Sequence, residues 1–364
     1  MAETTSLLSP RTTLATKVTP IKELLESAEL TSIPSSYTLK TSPPDHFDPD
    51  PDDPIPVIDL SLLTSGTPDQ RTKLVRDLGK ACEEWGFFMV VNHGVPEDLL
   101  EALIENCVEF FGLPLDEKLK YASDYFLDSI QFATSYNVLK EEVHFWRDFL
   151  RIIVHPQFRS PDKPPALSNL ISQFSEHVRI ILLVLLRGIS VSLGLEERYL
   201  ERASSLESGL QIFVANFYPP CPQPELAMGL PSHSDHGLLT ILTSNQVGGL
   251  QVLHRDRWIK VDSLPNSLLV NTGDQLEVLS NGKYKSILHQ AAVNSRDMRL
   301  SVVVANGPSL DTVVRPAEEL VDPPRYASMK YKDYLEMVRS KELDGKWGLE
   351  KLKLEMNPFH PVFL

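Results

Sequence analysis

The sequence predicts an α+β fold, in which a double-stranded β-helix (jelly roll) packs against a helical N-terminal part and a C-terminal helix. The first observation is a block between residues 211 and 305 of about eight short β-branched and apolar stretches, separated by Gly, Pro, Asn and Asp. The second is that apolar residues upstream recur every three or four positions, which is the helical period. The third is a composition of 42% hydrophobic and 23% charged residues over 364 residues, enough for one large core.

Four regions follow from these patterns. Residues 1–54 are expected to form a largely irregular extension because they end in a Pro- and Asp-rich run, although 21–30 is compatible with one short helix. Residues 55–205 are predicted to be a part of helices and strands that packs on the core. The jelly-roll core is expected over 206–315, and a C-terminal helix and tail over 316–364.

The elements of the N-terminal part are predicted from end signals and apolar spacing. Thr67 to Gln70 reads as a capping box with proline at the first helical position, so a helix begins there. Amphipathic spacing predicts further helices over 96–111 and 167–194. The segment 124–156 is rich in aromatic residues and has no clear period. Strands are expected over 55–60 and 85–94.

The core and the C-terminal part are predicted in the same way, from short apolar runs that end at turn residues. The expected strands are 211–217, 238–243, 250–253, 258–261, 268–271, 276–279, 285–289 and 300–305. A last helix is expected over 331–340, after the turn at Pro323 and Pro324.

Charge and cysteine content exclude several classes of function. The net charge of -14 argues against nucleic acid or an anionic membrane as partner, since both need basic patches. Cys82, Cys107 and Cys221 are far apart and show no CxxC spacing, so neither a disulfide framework nor a zinc-thiolate site is expected. No stretch approaches ~18 apolar residues and the start does not resemble a signal peptide. We therefore expect a cytoplasmic monomer that acts on a small molecule.

His233 and Asp235 form a possible metal site, two residues apart in a stretch that reads as extended. Side chains at i and i+2 leave a strand on the same face, so both can reach one divalent ion. His289, at the end of a later predicted strand, is the best third ligand. Two histidines and one carboxylate with open positions are typical of non-haem Fe(II) oxygenases, so these three are the candidate metal ligands and catalytic residues. His236 is expected on the opposite face, and His93 in a structural turn.

Arg299 and Ser301 form a second candidate site, because they also share a strand face. A guanidinium binds a carboxylate by two parallel hydrogen bonds, and the hydroxyl adds a third. An inward arginine among Val302, Val303 and Val304 is costly without an anionic partner. The pair therefore predicts a site for an organic anion.

The motifs occur in a fixed order that carries a family resemblance. They are Trp85-Gly-Phe-Phe, Asn92-His-Gly-Val, Asn216-Phe-Tyr218-Pro-Pro-Cys-Pro, His233-x-Asp235, His289 and Arg299-x-Ser301. In this order the chain resembles the plant 2-oxoglutarate- and Fe(II)-dependent dioxygenases of specialised metabolism. The resemblance covers roughly residues 55–340.

The resemblance implies a distorted jelly roll with Fe(II) bound by His233, Asp235 and His289. Three protein ligands leave three positions on an octahedral ion. In this family 2-oxoglutarate takes two of them, through its 1-carboxylate and 2-oxo group, and O2 takes the last. Ascorbate is the expected reductant.

The resemblance also implies where the rest of the cosubstrate lies. The far carboxylate of 2-oxoglutarate is expected to bind Arg299 and Ser301, with help from Tyr218. Asn216 matches a position near the same pocket. Decarboxylation yields succinate and CO2, and the substrate is hydroxylated, or undergoes the related desaturation or ring closure.

The substrate is expected to be an apolar or aromatic plant metabolite. Val214, Ala305 and Gly307 stand where relatives of the anthocyanidin synthase type carry charged or aromatic substrate contacts, so a flavonoid of that type is disfavoured. These residues leave a roomier or more apolar pocket. Its candidate lining residues are Phe132, Tyr136, Phe149, Phe213, Val214 and Ala305.

Two other functions remain compatible with the motifs. One is an oxidase of the same fold that uses the iron without 2-oxoglutarate, and O2 uptake with and without the cosubstrate separates the two. The other is a non-catalytic jelly-roll protein that binds a small molecule, against which the complete set of His233, Asp235, His289, Arg299 and Ser301 argues.

Overall fold

The fold is taken from a computed structural model, in which the described residues are 18–27, 30–41, 46–136, 138, 140–321, 323–341, 343 and 345–354. The rest of the predicted N-terminal extension and C-terminal tail lies outside these residues. The helices are α1 (Ile21–Ser27), α2 (Ser61–Thr64), α3 (Pro68–Lys80), α4 (Glu97–Gly112), α5 (Leu115–Leu119), α6 (Leu167–Ser192), α7 (Tyr199–Ala203), α8 (Asp274–Leu279), α9 (Tyr331–Arg339) and α10 (Trp347–Leu352). A π-helical turn, Ala81–Trp85, continues α3, and 3-10 turns lie at Ser35–Tyr37, Leu206–Ser208, Pro224–Leu226 and Glu318–Leu320.

Two β-sheets form the centre of the molecule. The strands are β1 (His46–Phe47), β2 (Val57–Asp59), β3 (Phe87–Val91), β4 (Ile130–Thr134), β5 (Asp148–His155), β6 (Gln211–Tyr218), β7 (Leu230–His233), β8 (Leu239–Ser244), β9 (Leu250–His254), β10 (Arg257–Lys260), β11 (Leu268–Thr272), β12 (His289–Ala291), β13 (Arg299–Asn306), β14 (Val313–Val314) and β15 (Met329–Lys330). The larger sheet has the order β2-β3-β11-β8-β13-β6-β5-β4 and the smaller one β1-β10-β9-β12-β7, while β14 and β15 pair separately. The predicted α+β jelly roll is confirmed.

The two faces of the larger sheet are covered by different parts of the molecule. One face packs on α3, α4 and α6, where Phe88 and Val90 of β3 join the main core. Ile171, Phe174 and Val178 of α6 recur at spacings of three and four and are fully buried there. Because strand side chains alternate, the other face is left for the smaller sheet and for a cavity between the two sheets.

The strands of the larger sheet come from both sides of the predicted boundary near residue 205. β2 and β3 extend it beside β11, and β4 and β5 extend it beside β6. The extension before residue 55 also contributes, because β1 pairs with β10 in the smaller sheet. Regions 55–205 and 206–315 thus share one continuous sheet, and the division between them remains a prediction.

Several predicted elements are present and others are wrong. The capping box is confirmed, since Thr67 Oγ1 accepts from the Gln70 amide at 3.3 Å and Gln70 Oε1 accepts from the Thr67 amide at 2.9 Å. The aromatic segment 124–156 contains β4 and β5. Residues 276–279, predicted as a strand, lie in α8, because a four-residue apolar run fits either period. Residues 285–288 form no strand, and β7 was not predicted.

The C-terminal part lies beside the predicted metal ligands. Tyr334 of α9 donates a hydrogen bond from its hydroxyl to Asp274 Oδ2 at 2.7 Å. The backbone of Gly345 donates to the Ser232 carbonyl and accepts from the Ser234 amide, both at 3.2 Å. These bonds hold α9 and the segment after it across the end of β7, next to the cavity.

Candidate active site

The three predicted metal ligands converge at one end of the smaller sheet. Antiparallel pairing of β7 with β12 sets His233 opposite His289, with ring centroids 4.2 Å apart. Asp235 lies two residues after β7 ends, in the irregular connection to β8 and not on a strand as the spacing suggested. Its Oδ1 is 3.9 Å from His233 Nε2 and 3.8 Å from His289 Nε2. Neighbouring donors bound to one divalent ion lie roughly 3 Å apart. The ligand atoms of the three residues lie within 4.8 Å of one another, so a small inward shift of the side chains lets the set hold one ion.

Neighbouring groups orient all three ligands. His233 Nδ1 lies 2.8 Å from the Pro231 carbonyl, and His289 Nδ1 lies 3.3 Å from the Ile287 carbonyl. A carbonyl only accepts, so each Nδ1 carries the proton and each Nε2 keeps its lone pair for a metal. Asn271 Nδ2 donates to Asp235 Oδ2 at 2.8 Å, which leaves Oδ1 directed at the histidines.

Electrostatics favour the protonation states that bind metal. Burial lowers the pKa of His233, and the adjacent His289 lowers it further, so its ring is neutral. Burial raises the pKa of Asp235, but the two imidazoles and the hydrogen bond from Asn271 outweigh that effect and lower it. His236 lies outside the cluster, with Nδ1 3.3 Å from Asp274 Oδ2.

The second predicted pair lies in the same cavity. In the pairing of β13 with β6, Arg299 is opposite Tyr218 and Ser301 is opposite Asn216. Arg299 is only 4% exposed, and burial lowers the pKa of its guanidinium, which lies 5.3 Å from the ring of Tyr218. Its Nε has no hydrogen-bond partner, and among the described residues no carboxylate pairs with it. A buried, incompletely bonded guanidinium fits an anionic ligand.

Comparison with known proteins agrees with this chemistry. Residues 209–308 match the model of the 2OG-Fe(II) oxygenase superfamily, and residues 55–172 match that of the N-terminal region of the non-haem dioxygenase in morphine synthesis. The rice protein 2-oxoglutarate-dependent dioxygenase 19 is 44% identical over 308 residues, which cover 84% of this chain and 91% of the relative. The chain belongs to the 2OG-Fe(II) oxygenase superfamily.

Further similarities extend over nearly the whole oxygenase. Rice flavanone 3-dioxygenase 2 is 40% identical over 337 residues, covering 90% of this chain and 96% of that protein. The crystal structure of JOX2 in complex with 2OG, Fe, and JA superposes with a TM-score of 0.82 at 32% identity, covering 93% of this chain and 98% of that one. The oxygenase is therefore an Fe(II)- and 2-oxoglutarate-dependent dioxygenase that acts on plant small molecules.

The cavity of the oxygenase, about 230 Å³ in volume, lies between the two sheets. It is lined by the three metal-ligand candidates and by Arg299, Ser301, Asn216 and Tyr218, so the sequence-predicted polar residues are all brought together. Four of the six predicted substrate-contact residues also line it, namely Tyr136, Phe149, Val214 and Ala305.

The other two predicted contacts, Phe132 and Phe213, are wrong. Phe213 alternates with Val214 along β6 and therefore faces the helical layer, where it is fully buried. Phe132 of β4 is 1% exposed, and its ring lies 6.1 Å from that of Phe110 and 6.4 Å from that of Phe111. Both rings belong to the main core. Their strand neighbours Gln131 and Val214 line the cavity, and adjacent residues of a strand face opposite sides.

Sequence reasoning missed several residues of the cavity wall. Arg147, just before β5, and Arg151, within β5, reach it on either side of Phe149, and Arg339 reaches it from α9. The alternation of Arg147, Phe149 and Arg151 was the available signal, but no strand was predicted there. Asn271, which orients Asp235, is the last residue of the predicted strand 268–271 and carried no signal of a role at the site.

Asn271 gives a first test of ligand positioning. In the Asn271→Ala variant Asp235 loses the donor that orients it, and we expect divalent metal to bind about 10- to 100-fold more weakly. Titration calorimetry with Mn(II) measures the change. Asn106→Ala, a substitution on α4 remote from the cavity, is the control. Equal affinity in both variants would show that Asn271 does not position Asp235.

Proposed function

We propose that His233, Asp235 and His289 bind Fe(II), and that Arg299 and Ser301 bind the far carboxylate of 2-oxoglutarate. The observation that carries this proposal is the buried guanidinium of Arg299, which shares one cavity with a cluster of two imidazoles and a carboxylate. The reaction is the oxidation of a small plant metabolite by hydroxylation, desaturation or ring closure, with succinate and CO2 as co-products.

A chain of hydrogen bonds prepares Ser301 to donate to the anion. Arg147 Nη1 donates to Asn216 Oδ1 at 3.0 Å, and Asn216 Nδ2 lies 3.4 Å from Ser301 Oγ. Because Ser301 Oγ accepts from Asn216, its own proton is free for a carboxylate oxygen. Asn216 thus acts by orienting Ser301, and Tyr218 covers the guanidinium of Arg299 with its ring.

The cavity walls supply the remaining contributions of the protein. Iron and 2-oxoglutarate, when bound, would supply the oxidising chemistry with O2 as the oxidant. The protein orients the reactants and limits access of water, since Phe87, Phe149, Leu242 and Leu250 line the cavity. Desaturation and hydroxylation differ in how the substrate lies over the metal.

The assay that tests this function measures O2 uptake and succinate release by purified protein, supplied with Fe(II), ascorbate and a plant metabolite extract. We expect both signals to require 2-oxoglutarate and iron and to rise in equal amounts. O2 uptake that persists without 2-oxoglutarate would instead support the oxidase that uses the iron alone. Mass spectrometry of the extract then identifies the consumed compound.

We also propose that the protein is a cytoplasmic monomer. Cys82, Cys107 and Cys221 are buried and unpaired, which suits a reducing compartment. Among the described residues, no helix combines the length and apolarity needed to cross a membrane. Size-exclusion chromatography with light scattering tests the monomer, and imaging of a fluorescent fusion tests the compartment.

A further inference from the structure

Two arginines lie in the part of the cavity wall that the iron and 2-oxoglutarate sites do not use. Arg151 of β5 is opposite Val214 of β6, whereas Arg299 is opposite Tyr218 of the same strand. The four residues from Val214 to Tyr218 correspond to about 13 Å along the strand, and β5 lies two strands, roughly 10 Å, from β13. Arg339, at the end of α9, lies near Arg151, because its guanidinium is 5.5 Å from the ring of Phe126, whose carbonyl accepts a hydrogen bond from Arg151.

Arg151 is buried without a carboxylate in contact. It is 8% exposed, its Nε donates to Gln131 Oε1 at 3.0 Å, and its two terminal nitrogens donate to the carbonyls of Phe126 and Tyr125. These acceptors are all neutral. Asp128 attracts Arg151 from a distance, but its own carboxylate is exposed and accepts from a serine hydroxyl. The positive charge of Arg151 is therefore hydrogen-bonded but not neutralised.

Among the described residues, none accepts a hydrogen bond from Arg339. Its guanidinium lies 5.5 Å from the ring of Phe126 and 5.1 Å from that of Tyr136, and it makes no hydrogen bond or ion pair with the described residues. Aromatic faces hold a guanidinium by its plane and leave its N–H groups free for a planar anion. Burial lowers the pKa of Arg151 to about 9, and the nearby positive charge of Arg339 adds to that effect. An anion beside Arg339 would relieve this repulsion.

Positive charges outnumber negative charges in the part of the cavity lining that contains Arg151 and Arg339. Asp235 supplies the one carboxylate among the described lining residues. Fe(II), Asp235, Arg299 and doubly charged 2-oxoglutarate cancel one another. Burial lowers the pKa of the Arg147 guanidinium, and the negative charge of Glu141 partly opposes that effect. Neither Arg151 nor Arg339 forms an ion pair with a described carboxylate, so the lining of the loaded cavity carries a positive excess at this end, while Asp124 and Glu336 line the adjoining pocket outside it.

We propose that the substrate is an organic acid, whose carboxylate binds the free N–H groups of Arg339 while Arg151 adds attraction from behind. Its apolar body would lie along Phe149 and Leu335, toward the metal ligands. A carboxylate suits the site because it matches the planar fork of one guanidinium. The inference rests on the proposed function, and it narrows the expected substrate from an apolar or aromatic metabolite to one that also carries a carboxylate.

The experiment compares acids with their own methyl esters. The probes are 3-phenylpropanoate, cinnamate, cyclohexylacetate and decanoate, each with its ester. Binding is measured by calorimetry on protein loaded with Fe(II) and 2-oxoglutarate under anaerobic conditions, and product formation is measured separately in air. We expect acids to bind wild type roughly 10- to 100-fold more tightly than their esters, as befits a charge-assisted pair.

Three variants test whether Arg339 causes the preference for acids over esters. Arg339→Gln should remove the preference for acids and leave ester affinity unchanged, which also shows that the cavity is intact. Arg339→Lys should keep part of the preference, because charge remains while the planar fork is lost. Lys332→Gln, which removes a positive charge from the same helix outside the cavity, should behave as wild type.

The outcomes separate this inference from the function on which it rests. If wild type releases no succinate with iron and 2-oxoglutarate under any condition, the proposed function fails. If it releases succinate but no acid in the set binds more tightly than its ester, including the case in which none binds, the organic-acid proposal is overturned. An acid preference that survives Arg339→Gln would overturn the role of Arg339.

Discussion

Replacement of His233 by alanine is expected to abolish iron-dependent succinate formation. The variant keeps two of three donors, and the His289 ring loses the neighbour that lies 4.2 Å away. A metal centre contributes several kcal/mol of transition-state stabilisation, so we expect a fall of about a thousandfold or more in turnover. Succinate release measures the loss of turnover, and the iron content of the purified protein measures the loss of metal binding.

The control for this substitution is His177→Ala, since His177 lies on α6 outside the cavity lining, with its Nδ1 2.9 Å from the Gln173 carbonyl. It should retain its iron content and turnover. Thermal unfolding of both variants without metal shows whether the fold is kept. Full turnover in His233→Ala would remove His233 from the metal site and with it the proposed ligand set.

Replacement of Arg299 by methionine is expected to raise the requirement for 2-oxoglutarate by roughly 10- to 100-fold. The reason is the loss of a charge-assisted pair worth about 1.5 to 3 kcal/mol to the far carboxylate. Because methionine removes a buried charge at similar length, the free energy of unfolding without ligand should not fall. Steady-state kinetics gives the KM for 2-oxoglutarate, and calorimetric melts give the stability.

Stabilisation of the folded protein by its ligand gives an independent test of whether Arg299 binds 2-oxoglutarate. At 100 times its Kd, a ligand that binds only the folded state adds about 2.7 kcal/mol. We therefore expect 2-oxoglutarate with a divalent ion to raise the Tm of wild type but to have little effect on Arg299→Met at the same concentration. Arg296→Met, an exposed substitution three residues earlier, should respond as wild type. Equal responses in all three proteins would show that Arg299 does not bind the cosubstrate.

The polar residues of the site could be predicted because their spacing reflects local geometry. Arg299 and Ser301 lie two apart in β13 and do share a face of that strand. His233 and Asp235 also converge, although Asp235 lies beyond the end of β7, so the prediction of a shared position was right for a partly wrong reason. The donors meet although Asp235 lies in the irregular connection after β7, and spacing alone does not distinguish a strand from such a connection.

The aromatic wall could not be predicted in the same way. Phe132, Phe213, Tyr136 and Phe149 were all predicted to line the cavity because they are aromatic. Phe132 and Phe213 lie in the core, whereas Tyr136 and Phe149 line the cavity. For the three phenylalanines the difference is strand register, which depends on how β4, β5 and β6 pair, whereas Tyr136 lies two residues beyond the end of β4. A shift of one residue would exchange the two groups of side chains.

The sequence by itself determined the order of motifs, the ligand types and the presence of a long buried helix, because each depends on residue identity at short separation. Only the tertiary structure decided which side chains face the cavity and that Arg339, 40 positions after Arg299, reaches it from α9. The physical reason is that ligand chemistry is a property of single side chains, whereas the charge of a binding site is a sum over groups brought together by folding.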